Sequence, residues 1–208
     1  MSNYQNRWTV LLTGAIAVSL AGCSFRPSAV KVPPINAQEA AKAAFSKYDT
    51  NGDGLLSNNE LTSCPALVDA MKNHIDKDHD KKLSVEELTN RLAMWVDSGV
   101  GASYFTCRVM KKGRPLAGAE VTLVPEVYLD GVIQPAVGVT NKTGSALMAI
   151  DSANLPSDLQ NLRAVQPGHY RVAITHPSVS IPPKYNTEST LGVEVSFESG
   201  RNLVTFNL

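Results

Sequence analysis

The stretch DTNGDGLLSNNE at residues 49–60 is followed, 27 residues further on, by DKDHDKKLSVEE at 76–87. Reading these two dodecamers decides the N-terminal half of the chain. Oxygen-bearing side chains stand at the first, third, fifth, ninth and twelfth positions of both. They are Asp49, Asn51, Asp53, Ser57 and Glu60 in the first, and Asp76, Asp78, Asp80, Ser84 and Glu87 in the second. The sixth position is Gly54 in the first dodecamer, a residue free to turn the backbone with positive φ. In the second it is Lys81, for which that conformation is strained. Helical signals flank both. Residues 37–48 are alanine-rich, with Ala41, Ala44, Phe45 and Tyr48 at helical spacing. Ser57 caps a short exiting helix that Pro65 restarts, since proline suits a first helical turn. Leu67, Val68, Met71 and Ile75 continue the apolar face. Ser84 caps a last helix carrying Val85, Leu88, Leu92 and Trp95.

This pattern resembles the EF-hand, whose loop supplies the six to eight oxygens that the hard ion Ca²⁺ takes. The resemblance implies Asp49, Asn51, Asp53, the Leu55 carbonyl, Ser57 and a bidentate Glu60 as ligands of loop one. For loop two it implies Asp76, Asp78, Asp80, the Lys82 carbonyl, Ser84 and Glu87. Glutamate at position twelve separates both loops from dockerin modules, which usually close with aspartate. Leu56 and Leu83, at position eight, are expected to pair the loops back to back. Lys77, Lys81 and Lys82 dilute the negative potential of loop two, which nevertheless brings four carboxylates against three. His74 and His79 read as solvated, because no cysteine or third histidine joins them at zinc spacing.

Lysine plus arginine equals aspartate plus glutamate at 19 each, which leaves no basic field for nucleic acid. Acidity concentrates around the loops: residues 37–97 hold 11 acidic and 7 basic side chains. The N-terminus carries Arg7 and then an apolar run through Ala21, the form of an export signal. Leu20-Ala21-Gly22-Cys23 resembles the bacterial lipobox, which implies a signal over 1–22 and a lipidated Cys23 at the membrane. Residues 23–36, with Pro27, Pro33 and Pro34, read as an extended tether. Export to an oxidising envelope makes a Cys64–Cys107 disulfide feasible, and two separate buried thiols are the alternative.

After Trp95 the helical period gives way to short alternating runs at 104–110, 119–124, 132–139, 146–150, 169–175, 192–197 and 203–207, separated by glycine, proline and asparagine turns. Seven such strands point to a Greek-key β-sandwich. GRPLAGAEV at 113–121, TNKTG at 140–144 and PGHYRV at 167–172 are similar to segments of carboxypeptidase regulatory-like, transthyretin-like domains. That resemblance covers roughly 104–208 and implies an accessory rather than catalytic role.

The expected fold is therefore α+β in two domains, an EF-hand pair at 37–97 and a seven-stranded sandwich at 102–208. The whole resembles small bacterial lipoproteins. The expected function is a non-catalytic, lipid-anchored Ca²⁺-binding envelope protein. The alternative is a surface module that reads protein or glycan, with calcium structural. A non-haem iron dioxygenase would draw on His169, Tyr170, His176 and Tyr185. However, adjacent residues of a strand point to opposite faces, and the family's closely spaced histidine pair is missing. No G-x-S-x-G elbow or phosphate-cradling loop is present.

Overall fold

Asn36 starts the helical half. Its side-chain oxygen accepts from the Glu39 N–H at 3.2 Å, and α1 runs Ala37–Tyr48 with Ala41, Ala44, Phe45 and Tyr48 buried along one face. The computed structural model describes residues 29–208 apart from 74, 199 and 201. The signal segment, Cys23, the tether through residue 28 and His74 lie outside the described residues. Of the tether's remainder, Pro33 and Ile35 are buried.

After loop one, α2 (Asn58–Leu61) is brief and α3 (Pro65–Met71) restarts at the expected proline. β1 (Leu55–Leu56) and β2 (Leu83–Ser84) pair antiparallel, with Leu56 opposite Leu83, so the two loops are joined as their position-eight leucines predict. Ser84 then caps α4 (Val85–Asp97), which buries Leu88, Arg91, Leu92 and Trp95.

Nine strands form in the second half among the described residues: β3 (Thr106–Lys111), β4 (Arg114–Pro115), β5 (Glu120–Pro125), β6 (Ala136–Val139), β7 (Ser145–Leu147), β8 (Ala149–Ile150), β9 (Gly168–Thr175), β10 (Gly192–Val195) and β11 (Leu203–Asn207). One sheet has the order β10-β9-β5-β6-β8. The other has β11-β3-β4 with β7 also on β3, and β11 runs parallel to β3. The single strand expected at 146–150 is corrected. The chain breaks at the buried Met148, so that β7 joins one sheet and β8 the other. Apolar alternation continues through such a switch and cannot signal it. The 132–139 run is also shorter than expected, because Val132 and Ile133 close a turn on Leu129.

Helices and sheets share one apolar cluster, which includes Phe45, Leu67, Leu88 and Trp95 together with Val109, Val121, Leu123 and Val172. α3 lies against β10 and β9. The approach is so close that a Cβ on Gly192 would fall 2.2 Å from the Ala66 nitrogen and 2.3 Å from the Pro65 carbonyl carbon. Beside this contact, Arg91 forks onto Glu194, with Nε to Oε1 at 2.6 Å and Nη2 to Oε2 at 2.9 Å. Its Nη1 reaches Glu198 at 2.9 Å. Asn73 donates to Glu194 Oε2 at 2.9 Å, and the Glu194 N–H donates to Asp69 at 3.1 Å. Trp95 stands edge-on to His169 with ring centroids 4.9 Å apart. Burial alone would raise the Glu194 pKa, but His169 and Arg91 outweigh it and hold the carboxyl down at about 2.

The disulfide considered from sequence is not formed. Cys107 is buried in β3 opposite Val204 and Ala146. Cys64 is buried at the start of α3, with its thiol pushed up to about 12 by burial and by the nearby Glu126 carboxylate. Both thiols are shielded from solvent, which leaves them unreactive.

Two outcomes follow from the seam between the halves. Gly192→Val should lower stability by at least about 1–3 kcal/mol, the usual cost of overpacking, since the opposing atoms are backbone; thermal unfolding reads it. The Glu194 pKa is depressed from an ordinary value of 4.5, so its contribution is full above about pH 4.5 and disappears as pH falls toward about 2. Urea midpoints measured across that window should fall steeply in the native chain and less steeply in Glu194→Gln.

Candidate metal centre

Loop one is shaped by its own carboxylates. Asp49 accepts from the N–H of Gly52 at 2.7 Å through Oδ1 and from Gly54 at 2.9 Å through Oδ2. Asn51 Oδ1 accepts from Asp53 N at 2.8 Å, and Asp53 Oδ1 from Leu55 N at 2.9 Å. These side-chain turns fold alternate oxygens inward, and Gly54 (φ +79°) takes the sharp turn without a Cβ penalty. Glu60 closes the loop from the third position of α2. Its Oε2 accepts from Ser57 Oγ (2.7 Å) and N (2.9 Å), and its Oε1 from Thr50 N (2.9 Å), Thr50 Oγ1 (3.1 Å) and Asn51 N (3.3 Å). The Ser57 hydroxyl, then its N–H, hold the Glu60 carboxyl down at about 2. Thr50 was not singled out by the ligand pattern, because its contribution is to orient Glu60.

Loop two repeats the scheme. Asp76 Oδ2 accepts from Lys81 N at 3.0 Å, Asp78 Oδ1 from Asp80 N at 3.1 Å, and Asp80 Oδ1 from Lys82 N at 2.7 Å. Glu87 accepts from Lys77 N at 2.7 Å and from Ser84 N and Oγ at 2.9 and 2.8 Å. Burial works to raise the Glu87 pKa, but these donors prevail and lower it. Lys81 adopts φ +67°, as its place at position six demands, and His79 adopts φ +63°. Each left-handed non-glycine residue costs on the order of 1 kcal/mol.

The fit to a cation rests on two observations in loop two. Carboxylate oxygens of Asp76, Asp78 and Asp80 lie within 4.8 Å of one another. Asp76 is only 9% exposed, and its Oδ1 is buried with no hydrogen-bond partner. Three mutually repelling carboxylates with an orphaned buried oxygen are costly alone, and a hard divalent cation offsets that cost. The donors are all oxygen, which fits calcium and not zinc.

Elsewhere, three of the four residues considered for iron, His169, Tyr170 and His176, have other partners. Tyr170 donates to the Gln166 carbonyl at 2.9 Å, and the His169 Nδ1 lies 2.9 Å from the Tyr128 hydroxyl. Both nitrogens of His176 are taken, Nε2 by the Ala117 carbonyl and Nδ1 by the N–H groups of Ser178 and Val179. His169 and Tyr170 are both fully buried, since β9 is covered on both faces at its first three residues and alternates only beyond them.

Several residues tying the loops to the sheets were not legible as such. Tyr48, next to Asp49, donates to Glu126 at 3.1 Å. Arg91 on α4 and Glu194 on β10 form the buried fork. The available signal was a charge on each apolar pattern: Arg91 follows Leu88 at helical spacing, and Glu194 interrupts Val193 and Val195.

The family model described as EF hand matches residues 41–64, which hold loop one and its two flanks. No curated protein and no solved structure matches the chain. The protein is thus an α+β chain with an EF hand, a calcium-binding motif, near its N-terminus.

Proposed function

We propose that this chain is an exported, lipid-anchored protein of the bacterial cell envelope that binds Ca²⁺ in both loops and performs no catalysis. The observation that carries the calcium reading is the buried, unpartnered Asp76 Oδ1 within the Asp76, Asp78 and Asp80 cluster. It supports reading loop two, which lies outside the family match, as a second calcium site. Asp49, Asn51, Asp53, the Leu55 carbonyl, Ser57 and Glu60 would hold one ion. Asp76, Asp78, Asp80, the Lys82 carbonyl, Ser84 and Glu87 would hold the other. A bound ion supplies charge neutralisation, which lets the loop carboxylates converge and ties the helical flanks together.

Export and anchoring at Cys23 rest on the sequence of residues 1–23. An exported compartment points to constitutive occupancy, because extracellular modules of this type bind at roughly 10⁻⁴ to 10⁻³ M. A second reading, a surface module for protein or glycan with structural calcium, is favoured by a cleft of about 450 Å³ between α3, β10 and β11. It is lined by Pro65, Val68, Leu191 and Phe206, with Lys72 and Thr205 among its polar groups.

Calorimetric titration of the metal-stripped chain should give two Ca²⁺ sites, and Glu60→Gln or Glu87→Gln should each remove one. Saturation at a hundredfold excess over Kd should stabilise the fold by about 2.7 kcal/mol per site. Absence of binding with both glutamates intact would sink the calcium reading.

A further inference from the structure

Loop two is fastened to the sheet half on both of its flanks by one carboxylate. On the entering side, Asn73 stands just ahead of Asp76 and donates to Glu194 Oε2 at 2.9 Å. On the exiting side, Arg91 lies one helical turn beyond Glu87 and forks onto both oxygens of Glu194 at 2.6 and 2.9 Å. The Glu194 N–H adds a bond to Asp69 of α3 at 3.1 Å. Loop one reaches the sheet half differently, through Tyr48 on its entering side to Glu126.

We propose that Glu194 is a positioning residue for loop two. By holding the Asn73 and Arg91 flanks in a fixed relation, it keeps the loop oxygens in their closed arrangement before an ion arrives, and so raises the affinity of that loop. The inference rests on the calcium reading above.

The physical basis is the cost of the alternative. Swinging α3 and α4 apart would pull Asn73 and Arg91 from a carboxylate whose side chain is fully buried, leaving an uncompensated charge. Closing the loop around a cation and closing the clasp around Glu194 therefore favour one another, and such coupling is reciprocal. Less ordering remains for the ion to bring about, and preorganisation of this kind raises affinity. Because the flanks are already set, ion binding exposes no new apolar face between α3 and α4.

The test reads the loops separately in the full chain. Glu60→Gln leaves loop two alone, Glu87→Gln leaves loop one alone, and Glu194→Gln is added to each. The expected result is a rise in the Ca²⁺ Kd of loop two by about fivefold or more, against less than about twofold at loop one. Amide hydrogen exchange at β10 is the second readout: Ca²⁺ should slow it in the native chain and much less in Glu194→Gln. Should Glu194→Gln lose its fold by circular dichroism, Asn73→Ala removes a single donor and should move loop two in the same direction by a smaller factor. Equal shifts at the two loops, or none at either, would overturn the proposal. A native chain that binds no Ca²⁺ at all would instead overturn the calcium reading on which it rests.

Discussion

A carboxylate buried in a strand is the constraint around which this molecule is arranged. Glu194 lies on β10 between Val193 and Val195, which face the apolar cluster, so its own side chain projects from the other face of the sheet. Removing a carboxylate from water costs several kcal/mol unless charge and hydrogen bonds replace the lost solvation. The replacements come from the helical half, the Arg91 fork and the Asn73 amide, while Asp69 accepts from the Glu194 backbone N–H. His169 Nε2 also lies 3.4 Å from Oε1. Docking of α3 and α4 on β10 is thus a condition for burying Glu194, and the helices cannot settle elsewhere without exposing it. Gly192 lets α3 come close enough for this to happen.

The same seam carries a second polar group of the same type. Tyr48 and Arg171 approach Glu126, the Glu126 N–H bonds to the His169 carbonyl, and the Tyr128 hydroxyl meets the His169 ring. The entering helix of loop one and both flanks of loop two therefore end on neighbouring parts of one buried seam. Apolar contact supplies the bulk of the attraction, while these directional bonds select a single docking geometry. Buried polar networks specify because a partly satisfied one is so costly.

Within the loops, strain and charge point the same way. Lys81 and His79 both hold positive φ in loop two, and Asp76 keeps a buried oxygen without a donor. Outliers of this kind persist where the surrounding structure over-determines them, commonly at ligand clamps. The β1–β2 pairing of Leu56 with Leu83 sets the two loops side by side.

Local chemistry made much of this readable in advance. Alternating oxygens, Gly54, the Ser57 and Ser84 caps and the 3.6-residue apolar period are properties of short windows, and they located α1, α4, both loops and the leucine pair. Period-two alternation located most strands for the same reason. What local windows do not contain is the identity of a partner distant in the chain. The division of 146–150 between two sheets, the parallel pairing of β11 with β3, the separation of Cys64 from Cys107 and the two-sided burial at the start of β9 and along β10 all depend on such partners. By itself, the sequence determined where oxygen-bearing side chains recur along each loop, because that spacing is local. Tertiary structure alone decided that these loops would be held by Glu194 and Glu126, since a charge on an apolar face announces a buried partner without naming it.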